Sequence, residues 1–74
     1  MGKNQHVVPN SNGGWNVKGS GNSKATAHTD TKAEAEKIAR EIAKNQGSEL
    51  FIHGQDGKIQ RRDSYGNDPF PPKG

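Results

Sequence analysis

Three histidines, His6, His28 and His53, are the strongest metal ligands in a chain that contains no cysteine. None stands at a helical i,i+4 interval or in another ligand-like spacing, so the sequence supplies no metal motif. The other residues with reactive side chains gather late, at Asp63, Ser64 and Tyr65, with Asp68 close behind. A carboxylate beside a serine in a loop makes a hydrogen-bonded turn more often than a reaction centre. Gly13-Gly14 and Gly19-Ser20-Gly21 lack the strand-to-helix context of a phosphate loop and read as turn and linker glycines. The expectation is a protein that is not an enzyme, with no catalytic residue, no metal and no cofactor.

The elements that must position these residues are few. Seventy-four residues, 26% of them hydrophobic, allow one small domain, here residues 1–70 with a frayed end at 71–74. Core burial alone leaves such a domain marginal, and without cysteine no disulfide can reinforce it. The lack of cysteine and of any apolar run of membrane length suggests a cytoplasmic protein with no membrane partner. The net charge is +3, which favours polyanions weakly, because acids and bases interleave at Lys32, Glu34, Glu36, Lys37, Arg40, Glu41 and Lys44 like an ordinary solvated helix face.

Spacing predicts a helix from Thr31 to Gln46. Thr31-Lys32-Ala33-Glu34 fits a capping box, Gly47 offers a left-handed stop, and Ala35, Ile38, Ala39, Ile42 and Gln46 form one narrow apolar stripe. Two hairpins flank it. Asn12-Gly13 should join His6–Pro9 to Trp15–Lys18, and Asp56-Gly57 should join Glu49–His53 to Lys58–Asp63, each as a two-residue turn. The predicted fold is α+β, ordered ββαββ: two antiparallel hairpins forming a sheet, one helix across one face.

Two-residue turns set a register. Val8 then pairs with Val17, Ile52 with Arg61 and Gly54 with Ile59, and cross-strand partners share a face. Val8, Trp15, Val17, Leu50, Ile52 and Ile59 should face the helix. Val7, Lys18, Phe51, His53, Lys58 and Arg62 should form the opposite, uncovered face, the candidate interaction surface. His6 and His53 fall on opposite sides in this register. Gly19–His28 reads as a small polar linker.

Several short motifs coincide with one family: His6-Val7-Val8-Pro9, Gly14-Trp15, Asp30-Thr31 before an alanine-rich helix, Ile52-His53-Gly54, Asp56-Gly57, and Asp63-Ser64-Tyr65-Gly66-Asn67-Asp68-Pro69. Across nearly its whole length the chain resembles the small bacterial family called domain of unknown function 2188. That resemblance implies a small bacterial or bacteriophage-borne protein and carries no activity, cofactor or catalytic residue.

The function expected from these features is an interaction module that self-associates through its sheet or binds another protein. The alternative is a nucleic-acid-binding module using the exposed sheet face. The second candidate segment is the tail, Tyr65, Gly66, Asn67, Asp68, Pro69 and Phe70, rich in proline and aromatic residues. It should leave the last strand, dock Tyr65 on the sheet or its edge, and cover Phe51 and Val7.

Overall fold

The structure, a computed structural model, describes residues 3–21 and 24–65. The helix α1 spans Lys32–Gln46. Thr31 is its N-cap, accepting the Glu34 N–H on its hydroxyl, and Gly47 closes it in the left-handed conformation with φ 61°. Its buried residues are Ala35, Ala39 and Ala43, with Ile38 and Ile42 packed partly against the core. The deepest line is therefore one methyl wide, which lets the helix axis lie close on the sheet.

Five strands form one mixed sheet, so the fold is α+β with more strands than the sequence suggested. They are β1 Gln5–Pro9, β2 Trp15–Gly19, β3 Ala27–Thr29, β4 Glu49–His53 and β5 Ile59–Ser64, arranged β3-β2-β1-β4-β5. The extra strand, β3, lies in what reads as a polar linker. It pairs antiparallel with β2, matching Asn16 to His28 and Trp15 to Thr29. β3 thereby runs parallel to β1, and a helical crossover from it must return the chain parallel again. The β1–β4 pair is accordingly parallel, with His6 beside Phe51 and Val7 beside Ile52. That pair joins the two hairpins within one chain and corrects the expectation of a wholly antiparallel sheet.

The first hairpin also differs from its two-residue prediction. Asn10 N–H donates to Gly14 O (3.0 Å) and Gly13 N–H to Asn10 O (3.0 Å), so Ser11-Asn12-Gly13 is a three-residue loop. Gly13 and Gly14 both take positive φ, and the Asn10 side chain accepts the Asn12 N–H at 2.7 Å. One additional loop residue shifts the register by one. Val7, not Val8, now stands opposite Val17, and Val7 is fully buried. Its assignment to the interaction face is thus corrected, because a one-residue slip turns every side chain of a strand over.

The second hairpin has the same kind of loop, Gln55-Asp56-Gly57, closed by Gly54 N–H to Lys58 O at 2.8 Å. Here a bulge at Gln60 absorbs the additional residue, so Ile52 still pairs with Arg61 while His53 pairs with Ile59. Ile59 consequently leaves the core face and is 56% exposed beside His53. Lys58 closes the turn opposite Gly54 and does not join that face. Gln60 instead reaches the helix side, where its Oε1 accepts from Lys32 Nζ at 2.6 Å.

The core is Val7, Trp15, Val17, Leu50 and Ile52 against the three helix alanines. Each fully buried aliphatic side chain contributes roughly 1.5–3 kcal/mol, so few can be lost. Tyr65 packs against this core from the sheet's end, its N–H donating to Ser48 O at 3.1 Å and the Lys44 ammonium lying 5.9 Å from its ring. It docks on the helix side and not over Phe51, because Ser64 already takes the other face opposite Glu49. The remaining tail residues, 66–74, lie outside the described residues.

Two substitutions test this packing. Trp15→Ala should remove roughly 3–5 kcal/mol, most of the stability of so small a domain, and thermal denaturation should find the variant largely unfolded. Gly14→Ala should be worse than Gly13→Ala. Both glycines have positive φ, but only at Gly14 would a Cβ lie 2.3 Å from the Thr29 carbonyl oxygen. Backbone strain alone costs about 1–3 kcal/mol. Urea denaturation should place Gly13→Ala in that range and Gly14→Ala below it in stability, with β3 released.

Candidate functional site

The shifted register puts His6 outward from the central strand β1. It sits next to Phe51 across the parallel pair, with ring centroids 5.0 Å apart and planes 18° from parallel. His53, two residues further along β4, emerges on the same side. His6 Nδ1 lies 3.1 Å from His53 Nε2, and His6 Nε2 lies 2.9 Å from Ser20 Oγ. His53 Nδ1 is 3.0 Å from the Gly57 carbonyl oxygen. The histidines expected on opposite faces are hydrogen-bonded neighbours.

The direction of this chain follows from one acceptor. A carbonyl oxygen cannot donate, so His53 carries a proton on Nδ1 and, as the neutral imidazole, presents a lone pair at Nε2. His6 then donates from Nδ1 to His53, leaving its Nε2 to accept from the Ser20 hydroxyl. Burial, the neighbouring His53 and the Lys18 ammonium, in that order, hold the His6 pKa below the ordinary histidine value of 6.5. A shallow cleft of about 290 Å³ opens here between His6, Val8, Lys18, Ser20 and His53.

The rest of the open face follows by alternation. Asn16 and Lys18 come from β2, His28 from β3, Glu49, Phe51 and His53 from β4, and Ile59 and Arg62 from the β5 side. Lys18, Phe51, His53 and Arg62 are thus brought together as expected, Val7 is replaced by Val8 and His6, and Lys58 is replaced by Ile59. His28 stands apart, its Nε2 held 2.9 Å from the Gly13 carbonyl oxygen. Glu49 is the one acid among the described strand residues of this face. A larger groove of about 690 Å³ lies on the helix side, lined by Thr29, Asp30, Glu34, Ile38 and Ile42.

His6 and Ser20 are not legible as site residues in the sequence because both depend on loop length. The signal was the doubled glycine: Gly14 takes positive φ as well as Gly13, a freedom just after the third loop position that a two-residue reading of Asn12-Gly13 leaves unused. Ser20 is brought to His6 at the far end of the same hairpin, where Ser20 N–H donates to Asn4 O at 2.9 Å.

Among the described residues, a two-layer α+β arrangement with one sheet face free of helix is thereby defined. The chain belongs to the family described as "Uncharacterized protein conserved in bacteria (DUF2188)", whose model matches residues 5–65. It is also similar to the uncharacterized protein YdaT of Bacillus subtilis (strain 168), with 39% identity over 67 residues. That match covers 90% of this chain and 44% of the relative, so the chain spans less than half the relative's length. No solved structure matches the chain. Among the described residues no helix is long and apolar enough to cross a membrane.

The His6 environment predicts a pH response. The unfolded chain takes up the proton at higher pH than the folded one, so neutral His6 stabilises the fold fully above about pH 6.5. That contribution is lost as pH falls through the depressed folded value. Imidazole NMR titration should place His6 below 6.5, and Lys18→Gln should raise it by removing a like charge. A His6 titration at or above the ordinary value would contradict the arrangement.

Proposed function

We propose that the open sheet face binds single-stranded nucleic acid with little sequence preference. The observation that carries this reading is the composition of that face. Stacked, polarisable rings of His6 and Phe51 stand at its centre, with Lys18 on one side and Arg62 on the other. Bases supply π-faces and phosphates supply charge, and an uncovered sheet with aromatic and basic side chains meets both needs. The non-enzymatic reading is kept: the ring pair and cations bind, and no cleaved bond is required of them.

Self-association, the reading that the thin core favours, is less well supported by this face. Two copies meeting through it would bring bases against bases, with Glu49 as the one compensating acid among the described strand residues of that face. The β5 edge of the sheet is also guarded. β5 carries the Gln60 bulge and adjacent Arg61 and Arg62, features that discourage edge-to-edge pairing.

Fluorescence anisotropy with labelled oligothymidine and oligouridine is the test. Affinity should fall with salt, and each of Lys18→Gln and Arg62→Gln should reduce the log–log slope by about 0.7. Phe51→Ala should weaken binding by about 1–3 kcal/mol. Absence of binding at low salt overturns the proposal. If sedimentation then finds a dimer that Phe51→Ala dissociates, the face serves a second copy instead.

A further inference from the structure

We propose that His6 and His53 form a two-histidine site for a divalent transition metal of the zinc type, ligated through His6 Nδ1 and His53 Nε2. The inference goes beyond nucleic-acid binding and does not depend on it. Those two nitrogens face one another at 3.1 Å. Two imidazoles bound tetrahedrally to one zinc ion, at about 2.0–2.1 Å each, hold their nitrogens roughly 3.3 Å apart. An ion therefore needs a separation change of a few tenths of an ångström, with each ring turning by up to roughly 35° so that both lone pairs meet off the line between the nitrogens.

The outer nitrogens strengthen the case. Histidines that ligate metals generally anchor the other ring nitrogen on a carbonyl, carboxylate or comparable partner, which fixes the ring and its tautomer. His53 Nδ1 rests on the Gly57 carbonyl oxygen at 3.0 Å, and His6 Nε2 meets Ser20 Oγ at 2.9 Å. Phe51 backs the His6 ring as well. Both imidazoles are thus oriented from outside while their inner nitrogens converge. A hydroxyl can donate or accept, so Ser20 accommodates either His6 tautomer.

The donor set limits what binds. Imidazole nitrogen suits zinc, copper and nickel, and suits magnesium and calcium poorly. No group of three or more His, Cys, Asp or Glu side chains that could hold a metal occurs among the described residues, which supply only these two ligands and leave the remaining positions to water. Lys18 lines the same cleft and opposes a cation. The site is consequently an open, modest-affinity one rather than a structural centre.

The bare chain and the metal-bound chain differ in one proton position. Without metal, His6 carries its proton on Nδ1; with metal bound there, the proton moves to Nε2 and is donated to Ser20. His53 keeps Nδ1–H in both states. Long-range nitrogen–proton NMR during titration of the full chain with Zn²⁺ reads this directly. One saturable site is expected, with a tautomer change at His6, none at His53, and no response at His28. His6→Asn and His53→Gln should each abolish saturable binding. Ser20→Ala should weaken it about tenfold, Lys18→Gln should tighten it, and Mg²⁺ should not compete. Because the tautomer is read in the unaltered chain, the test survives if a variant fails to fold. No saturable Zn²⁺ binding, an unchanged His6 tautomer, or binding that persists in a folded His53→Gln variant overturns the proposal.

Discussion

Side chains alternate along a strand, so the loop that sets the phase of a central strand decides what the protein buries and what it presents. Here that loop is Asn10–Gly14. Its three intervening residues place Val7 opposite Val17, facing the helix alanines, and turn His6 and Lys18 to the other side. β1 lies in the middle of the sheet, and the phase it sets passes to β4 through the parallel pair. Gln5 and Val7 stand beside Leu50 and Ile52 on the core face, and His6 stands beside Phe51 outside. The hydrophobic core and the ring cluster are two faces of one register.

The helix and the short strand β3 complete the constraint. A helix whose buried line is Ala35, Ala39 and Ala43 can lie close over β1 and β2, and that closeness closes the core without many large residues. Because β3 runs parallel to β1, the helix is the middle of a β-α-β crossover that passes over β2 and β1 and delivers β4 to the far side of β1. The single helix is spent on one face. The other face, with a core this small, has no second layer among the described elements, and its side chains are available for ligands.

Local chemistry was legible in the sequence where it depends on neighbours in the chain. The helix, its Thr31 cap and its Gly47 stop appear as the capping box and glycine required. The bounds of β4, the α+β class and the family resemblance were legible in the same way. Long-range geometry was not. Asn12-Gly13 suits either a two- or a three-residue turn, and the choice depends on whether Val7 or Val8 packs better beneath the helix, which is a tertiary matter. β3 was illegible because Ala27-His28-Thr29 has too few large side chains to mark a strand, and it forms by pairing with Trp15 and Asn16. The His6–His53 pair inherited the register error, since residues 47 positions apart meet only if the phase of β1 is right.

The open face owes its character to this arrangement: His6 is pressed between Phe51, His53 and Ser20, with Lys18 beside it. Its hydrogen-bond direction is set by a single backbone carbonyl, and its pKa is lowered by burial, by the neighbouring His53 and by the Lys18 ammonium. All of it rests on the register of the first hairpin. Methyl nuclear Overhauser spectroscopy tests that register most directly. Cross-peaks should connect the Val7 methyls to the methyls of Ala39 and to Val17, while Val8 shows none to the helix. Cross-peaks from Val8 to the helix alanines, with Val7 silent, would contradict the register and return His6 and His53 to opposite faces.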